Sequence, residues 1–318
     1  VWTTLDSLPI LPEAVKAAPK IKNYYTWSHF AAEGLNELGH SHVKCLHGTV
    51  DTDCFFKYNE KGTEQIRKGN GILEDEFIIG FVFRNQLRKS VPNLLEGFKK
   101  FKELNPLSNA KLLLHTHWSE GWDIPRFLKD YSINPADVLT TYYCKRCREY
   151  EIKPFHGQNV DCRFCGSKKT QETTNAGNGV SEDQLNEIYN LMDVYCHPFT
   201  SGGQEIPIQE AKLTELITLV TNYSCGEDCC TPESGGLPLE WSSYCEPGTQ
   251  FIKATTSPAS ITKNLDLVYK MPSHERSQIE KRAREWTIQN FSTQVIGKNY
   301  WEQINLFEIV WNSEANQG

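Results

Sequence analysis

The 318-residue sequence has no run of 18 or more apolar residues, so a membrane-spanning helix is not expected. It has no surplus of basic residues: 33 Lys and Arg stand against 40 Asp and Glu, a formal charge of −7. That balance argues against a general nucleic-acid binder, which needs a cationic face to neutralise phosphates. The start, Val1-Trp2-Thr3-Thr4, lacks an initiator Met and a basic segment leading into an apolar one, so no signal peptide is visible. Internal repeats and low-complexity tracts are missing as well. What remains is an ordinary composition, 39% hydrophobic and 23% charged, long enough for two units or one large unit carrying an insertion.

Cysteine is plentiful. Eleven thiols, an odd number, cannot all pair, and four have metal-like spacing, which fits zinc in a reducing, cytoplasmic setting better than a disulfide framework. Cys144-x-x-Cys147 and Cys162-x-x-Cys165 are separated by 14 residues. Two thiolate pairs on tight turns close a tetrahedron round Zn²⁺, and Gly166 suits the turn after the last ligand. Four sulfur ligands leave no open position, so such a zinc is structural. Around it, Lys145, Arg146, Arg148, Lys153, Arg163, Lys168 and Lys169 outnumber Glu149, Glu151, Asp161 and Glu172, with Tyr142, Tyr143, Tyr150, Phe155 and Phe164 interleaved. This patch reads either as a contact for nucleic acid or protein or as a solvated face. Cys225, Cys229, Cys230 and Cys245 are irregularly spaced and read as reduced thiols of a long loop over 222–250.

Periodicity places the remaining elements. Residues 77–83 form a continuous apolar run, expected of a strand buried on both faces. Pro92 opens a helix whose Leu94, Leu95, Phe98, Phe101 and Leu104 share one face, and residues 110–114 form the next strand. After residue 175, Ser181 and Gln184 make a capping box, residues 193–197 a strand, 207–215 a helix and 216–221 another strand. This alternation predicts an α/β fold with a Rossmann-like parallel sheet, interrupted by the four-cysteine ribbon. Two amphipathic helices after Ser273 close the chain, the second carrying Tyr300, Trp301, Ile304, Phe307 and Trp311. Trp118, Trp122 and Trp241 are expected to cover the core rather than to stack on a ligand.

Ligands of open α/β sheets bind at the carboxyl ends of strands. There the sequence places Arg84 and Lys89, two cations suited to a diphosphate leaving group. Gly202-Gly203-Gln204-Glu205-Ile206-Pro207 leads into a helix whose N–H groups suit an anion, and Glu210 lies in its first turns, placed to accept hydrogen bonds from vicinal hydroxyls. A glycine-rich helix entry with no ligand is the plainer reading of the same segment.

Taken together, three segments resemble retaining GT-B glycosyltransferases of the glycosyltransferase group 1 family. These are Gly48-Thr49-Val50-Asp51-Thr52-Asp53-Cys54-Phe55, Gly80 to Arg84 with Lys89, and Glu205-Ile206-Pro207-Ile208-Gln209-Glu210-Ala211, in the family's order. The resemblance runs from about residue 20 to 300 and implies transfer of a sugar from a nucleoside diphosphate sugar, with retention, to an unknown acceptor. By position it implies that Arg84 and Lys89 bind the diphosphate and Glu210 the ribose. It further implies that Gly202 and Gly203 let the sugar phosphate approach, beside Ile206 and Pro207, and that His115 and Thr116 lie near the base. No catalytic metal is implied. The family's first Glu, eight residues before Glu210, is Gly202 here, which leaves Glu205 as the acidic group nearest the donor sugar. The expected organisation is an incomplete N-terminal domain and linker (1–72), a nucleotide-sugar-binding domain (73–295) with the ribbon (140–175) inserted, and a C-terminal helix (296–318). The competing reading is a non-catalytic module that uses the ribbon to engage nucleic acid or protein.

Overall fold

A computed structural model describes residues 1–175 and 177–301. Its main sheet contains β1 (Phe77–Val82), β2 (Ala110–His115), β3 (Val138–Cys144), β4 (Tyr150–Pro154), β5 (Gln171–Thr173), β6 (Val194–His197), β7 (Thr218–Thr221) and β8 (Gly236–Leu239). The order is β8-β7-β6-β1-β2-β3-β4, with β5 also paired to β3. Neighbours from β8 through β3 run parallel; β4 and β5 are antiparallel to β3. The chain builds outward from β1 through β2 to β3, then returns to the other side of β1 for β6. The order therefore reverses between β1 and β6, the place where an open α/β sheet leaves a crevice.

All six residues of β1 are buried. Alternate strand residues face opposite sides, so the strand is covered on both, as its unbroken apolar run requires. Gly80 is needed there: a Cβ on it would lie 2.0 Å from the Met192 sulfur. The helix Val91–Leu104 buries Val91, Leu94, Leu95, Phe98 and Phe101 and packs against the helix Pro258–Lys270. The helix Glu182–Asn190 starts at the capping box of Ser181 and Gln184. Residues 293–301 are helical after the helix Ser273–Phe291; Ile304, Phe307 and Trp311 lie outside the described residues.

The stretch 222–250 is more ordered than its composition suggests. It holds a 3-10 turn (Ser224–Cys229), the edge strand β8 and the first strand of a hairpin, Trp241–Cys245 with Ile252–Thr256. Pro238 disguised β8, and it is tolerated because an edge strand can leave one N–H position empty. Cys225, Cys229 and Cys230 are buried in the main core, whereas Cys245 is exposed.

The N-terminal residues form a separate small sheet of three parallel strands, Trp2–Thr3, Tyr25–Thr26 and Lys44–Cys45. The helices Pro12–Ala17 and His29–Glu37 accompany it, and Ile10, Ala14, Tyr24, Leu35 and Val43 make its own core. Among the described residues, no helix is long and apolar enough to cross a membrane.

Candidate functional site: a cleft at the strand ends and a four-thiol cluster

A cavity of about 390 Å³ opens at the carboxyl ends of β1 and β2, against the start of the helix Ile206–Leu213. Arg84, His115, Ile206, Pro207 and Glu210 line it, together with Asn175 from the loop leaving the ribbon. Arg84 projects largely into solvent, 3.7 Å from Glu120. His115 is buried behind the opening; burial lowers its pKa to about 4, so the ring is neutral, and Nδ1 lies 2.9 Å from the Thr141 hydroxyl. Thr116 is buried beside it and does not line the cavity.

Glu210 accepts a 2.7 Å hydrogen bond from the Tyr189 hydroxyl. Burial raises its pKa to about 7, against the lowering effect of that bond. Among the described residues, no Lys or Arg pairs with it in a salt bridge. The position is therefore a carboxyl that can gain or lose its proton near neutrality beside a cleft, a common property of ligand-binding groups.

Lys89 and Glu205 lie elsewhere. Both side chains are 4% exposed and form a buried ion pair. Arg88 adds a second cation to the same carboxylate and also donates to the Ser201 carbonyl at 3.3 Å. His197, at the end of β6, completes the knot, with Nε2 3.1 Å from Glu205 and 3.4 Å from Lys89. Burial alone would raise the Glu205 pKa, but the Lys89 charge, the His197 contact and Arg88 together hold it well below the usual carboxylate range. Burial lowers His197 to about 4. Neither Arg88 nor His197 is marked as a site residue by the sequence. Their shared partner is more than a hundred residues from Arg88, and no local pattern signals such a convergence.

Neither Gly202 nor Gly203 lines the cavity. A Cβ on Gly202 would meet Glu205 Oε1 at 2.5 Å, and one on Gly203 would meet the Thr4 side chain at 2.5 Å. The close approach these glycines allow is thus occupied by the protein's own groups. Two further positioning residues were not anticipated. The Asn85 side chain donates to the carbonyls of His117 and Trp122, at 3.3 and 3.0 Å, and accepts from the Trp122 N–H, which folds the cleft's outer loop. Gln204 takes the Gly48 N–H at 2.7 Å and donates to the Gly48 carbonyl at 2.9 Å, which ties the N-terminal unit to the glycine loop.

The sulfurs of Cys144, Cys147, Cys162 and Cys165 all lie within 4.8 Å of one another. Two of the separations are 3.9 Å (Cys144–Cys165) and 3.6 Å (Cys147–Cys162). A tetrahedral Zn²⁺ with bonds of about 2.3 Å sets its sulfurs roughly 3.8 Å apart, so the cluster has the dimensions of a metal site. Each knuckle is closed by a backbone bond, Arg148 N–H to the Cys144 carbonyl and Gly166 N–H to the Cys162 carbonyl, and Gly166 takes a φ of +68°.

The ribbon is not a free appendage. The first half of β3 pairs with β2, and its second half is the centre of the ribbon, between β4 and β5. Tyr142, Tyr143 and Tyr150 are buried, and Phe155 stacks on Trp118 at 4.5 Å, which places that tryptophan in the core as expected. Lys145 pairs with Glu172, and Lys153 and Arg163 both pair with Glu151. Of the interleaved aromatics, Phe164 is the exposed one, so the face offers little for bases to stack on.

No family model matches the sequence, and no curated protein matches it. Solved structures match the fold. The chain is 12% identical to Anabaena Alr3699/HepE in complex with UDP and glucose, with a TM-score of 0.64 over 92% of this chain and 66% of that one. It is 13% identical to sucrose-phosphate synthase from Thermosynechococcus elongatus, with a TM-score of 0.65 over 95% of this chain and 63% of that one. The C-terminal domain of a glycosyl transferase group 1 family protein (LpcC) from Francisella tularensis, also 13% identical, is matched over 99% of its length and 77% of this chain, with a TM-score of 0.51. The chain thus spans less than two thirds of the first two. It has the α/β, GT-B-like fold of these glycosyltransferases, with a four-cysteine cluster that could hold a metal ion.

Proposed function

We propose that this chain is a glycosyltransferase, or the donor-binding portion of one, which takes a nucleoside diphosphate sugar into the cleft at the ends of β1 and β2 and transfers the sugar with retention. The observation that carries the reading is the position of Glu210. It is a carboxyl at a helix start that faces a cavity at the carboxyl ends of β1 and β2. In this reading Glu210 accepts the ribose hydroxyls, and His115 and Thr116 form the wall nearest the base, with Ile206 and Pro207 at the helix entry. Arg84 and Lys89 counter the diphosphate, whose charge grows as the glycosidic bond breaks. For Gly202 and Gly203 to give the sugar phosphate its approach, Glu205 and the Thr4 side chain withdraw from them, and Glu205 is the acidic group closest to the sugar. The four cysteines hold a structural zinc, and the reaction itself uses cationic side chains.

One observation favours a second reading. Glu205 already satisfies Lys89 and Arg88, as a bound phosphate would. A chain whose anion site is filled from within is suited to binding without transfer, with the ribbon engaging a protein or nucleic acid. Calorimetric titration with UDP, GDP and ADP and a matching sugar nucleotide separates the two. The donor reading expects saturable binding of one nucleotide, weakened at least tenfold by Glu210→Gln. No binding to any of them would abandon it in favour of the non-catalytic module.

A further inference from the structure

A second group of metal-ligating side chains lies apart from both the cleft and the four cysteines. His29, Cys45 and His47 bring their ligand atoms within 4.8 Å of one another. They come from separate parts of the N-terminal unit: Cys45 ends its third strand, His47 follows two residues later, and His29 opens the helix His29–Glu37. Nothing in the sugar-transfer reading uses them.

The bonds behind the two imidazoles decide what they offer. His29 Nδ1 lies 3.0 Å from Asp228 Oδ1, and the other oxygen of that carboxylate accepts the His29 backbone N–H at 3.1 Å. The second bond fixes where the carboxylate sits, so the first fixes the ring with its proton on Nδ1 and a lone pair on Nε2. His47 Nδ1 lies 2.9 Å from the Trp27 carbonyl, which can only accept, so that ring too carries its proton on Nδ1 and keeps Nε2 for a ligand. Stacking on Phe291, 4.4 Å between ring centres, holds His47 from its face. A metal-bound histidine is commonly oriented in this way, by a carboxylate or carbonyl on its outer nitrogen. The Cys45 sulfur lies 3.7 and 3.9 Å from the two ring nitrogens of His47. Tetrahedral zinc sets a sulfur and a nitrogen ligand about 3.5 Å apart.

We propose that His29, Cys45 and His47 form a second zinc site, with Asp228 and the Trp27 carbonyl orienting the two histidines. Three protein ligands leave the fourth position open to water or another small ligand, unlike the closed set of four thiolates. The mixed nitrogen and sulfur donors suit zinc rather than calcium or magnesium, which take oxygen. A lone Cys-His-Asp nucleophile would need one histidine; here two, each tied back through Nδ1, converge on one thiol. Gly48, next to His47, is held by Gln204 of the glycine loop, so the ion would stiffen the junction between the N-terminal unit and the main sheet.

The test uses the full chain and zinc ions. Zinc content is measured after saturation and removal of unbound metal, for the wild type, Cys45→Ser and His29→Gln. The expected result is one equivalent fewer in each variant than in the wild type; equal contents overturn the proposal. His29 is more than half exposed, so its replacement leaves folding least disturbed, which circular dichroism checks. A second measurement needs no variant: alkylation of Cys45 in the wild type, followed by mass spectrometry, with exposed Cys245 as the internal standard. Zinc is expected to slow Cys45 at least tenfold, leave Cys245 unchanged and release Cys45 when a chelator is added. A Cys45 rate that zinc does not change overturns the site and leaves a histidine-activated thiol.

Discussion

Glu205 and Glu210 lie five residues apart on one loop and the helix it enters, Glu205 buried and Glu210 partly so, and their surroundings push them in opposite directions. Lys89, Arg88 and His197 overcome burial at Glu205 and hold it ionised. At Glu210 burial prevails, with the Tyr189 hydroxyl as the opposing partner, and the pKa rises to about 7. The difference shows that depth does not decide whether a carboxylate is available to a ligand; the charge of its neighbours does. Glu205 is already neutralised by the protein, whereas Glu210 keeps hydrogen-bonding capacity facing a cavity.

The largest effect is expected at Glu205. Glu205→Ala strands Lys89 in the interior without its counter-charge, and losing one partner of a buried pair costs about 3–5 kcal/mol. Urea unfolding measures this, and a loss below about 1 kcal/mol would mean that the knot is looser than its geometry. Glu210 should give a smaller effect of opposite character. Its folded pKa lies above the ordinary glutamate value of 4.5, so the folded state binds more protons between pH 4.5 and 7. Its contribution to stability is complete below pH 4.5 and is lost as the pH rises through 7, by up to about 3 kcal/mol. In Glu210→Gln that slope should vanish, read as the change in unfolding midpoint between pH 5 and pH 8. The same deprotonation should strengthen nucleotide binding as the pH rises through 7, because the ionised carboxylate is the better acceptor for ribose hydroxyls. The smallest effect belongs to Arg84, whose exposed contact with Glu120 is worth under about 1 kcal/mol. Arg84→Ala should leave the unfolding midpoint nearly unchanged and weaken nucleoside diphosphate binding several-fold; unchanged affinity would remove Arg84 from the donor site.

Much of the fold was legible because it was written locally. The apolar run of β1, the helical spacing from Leu94 to Phe101, the Ser181–Gln184 box and the two Cys-x-x-Cys turns each state their structure within a few residues. β8 escaped because four residues with a proline do not alternate or run apolar, and its place in the sheet comes from pairing with β7. The cleft was legible in the same partial way. Arg84 was placed there by the rule that ligands gather at strand ends, Glu210 by the helix entry, and His115, Ile206 and Pro207 by the family resemblance, whereas the capture of Lys89 by Glu205 depends on two loops meeting. The Asp228 clamp on His29 spans 199 residues and has no sequence signature.

The sharing of β3 between sheet and ribbon bears on how this chain could be cut or grafted. A deletion of residues 140–175 looks, by sequence, like the excision of a module. It would in fact remove most of an interior strand, take Thr141 away from His115 and Thr173 away from the Trp118 N–H, and leave β2 as a raw edge. The ribbon behaves as a buttress of the cleft's wall rather than an ornament on it. A chelator that strips a metal from the four thiols would loosen β3 at Cys144, three residues from the Thr141 hydroxyl that lies 2.9 Å from His115 of the cleft.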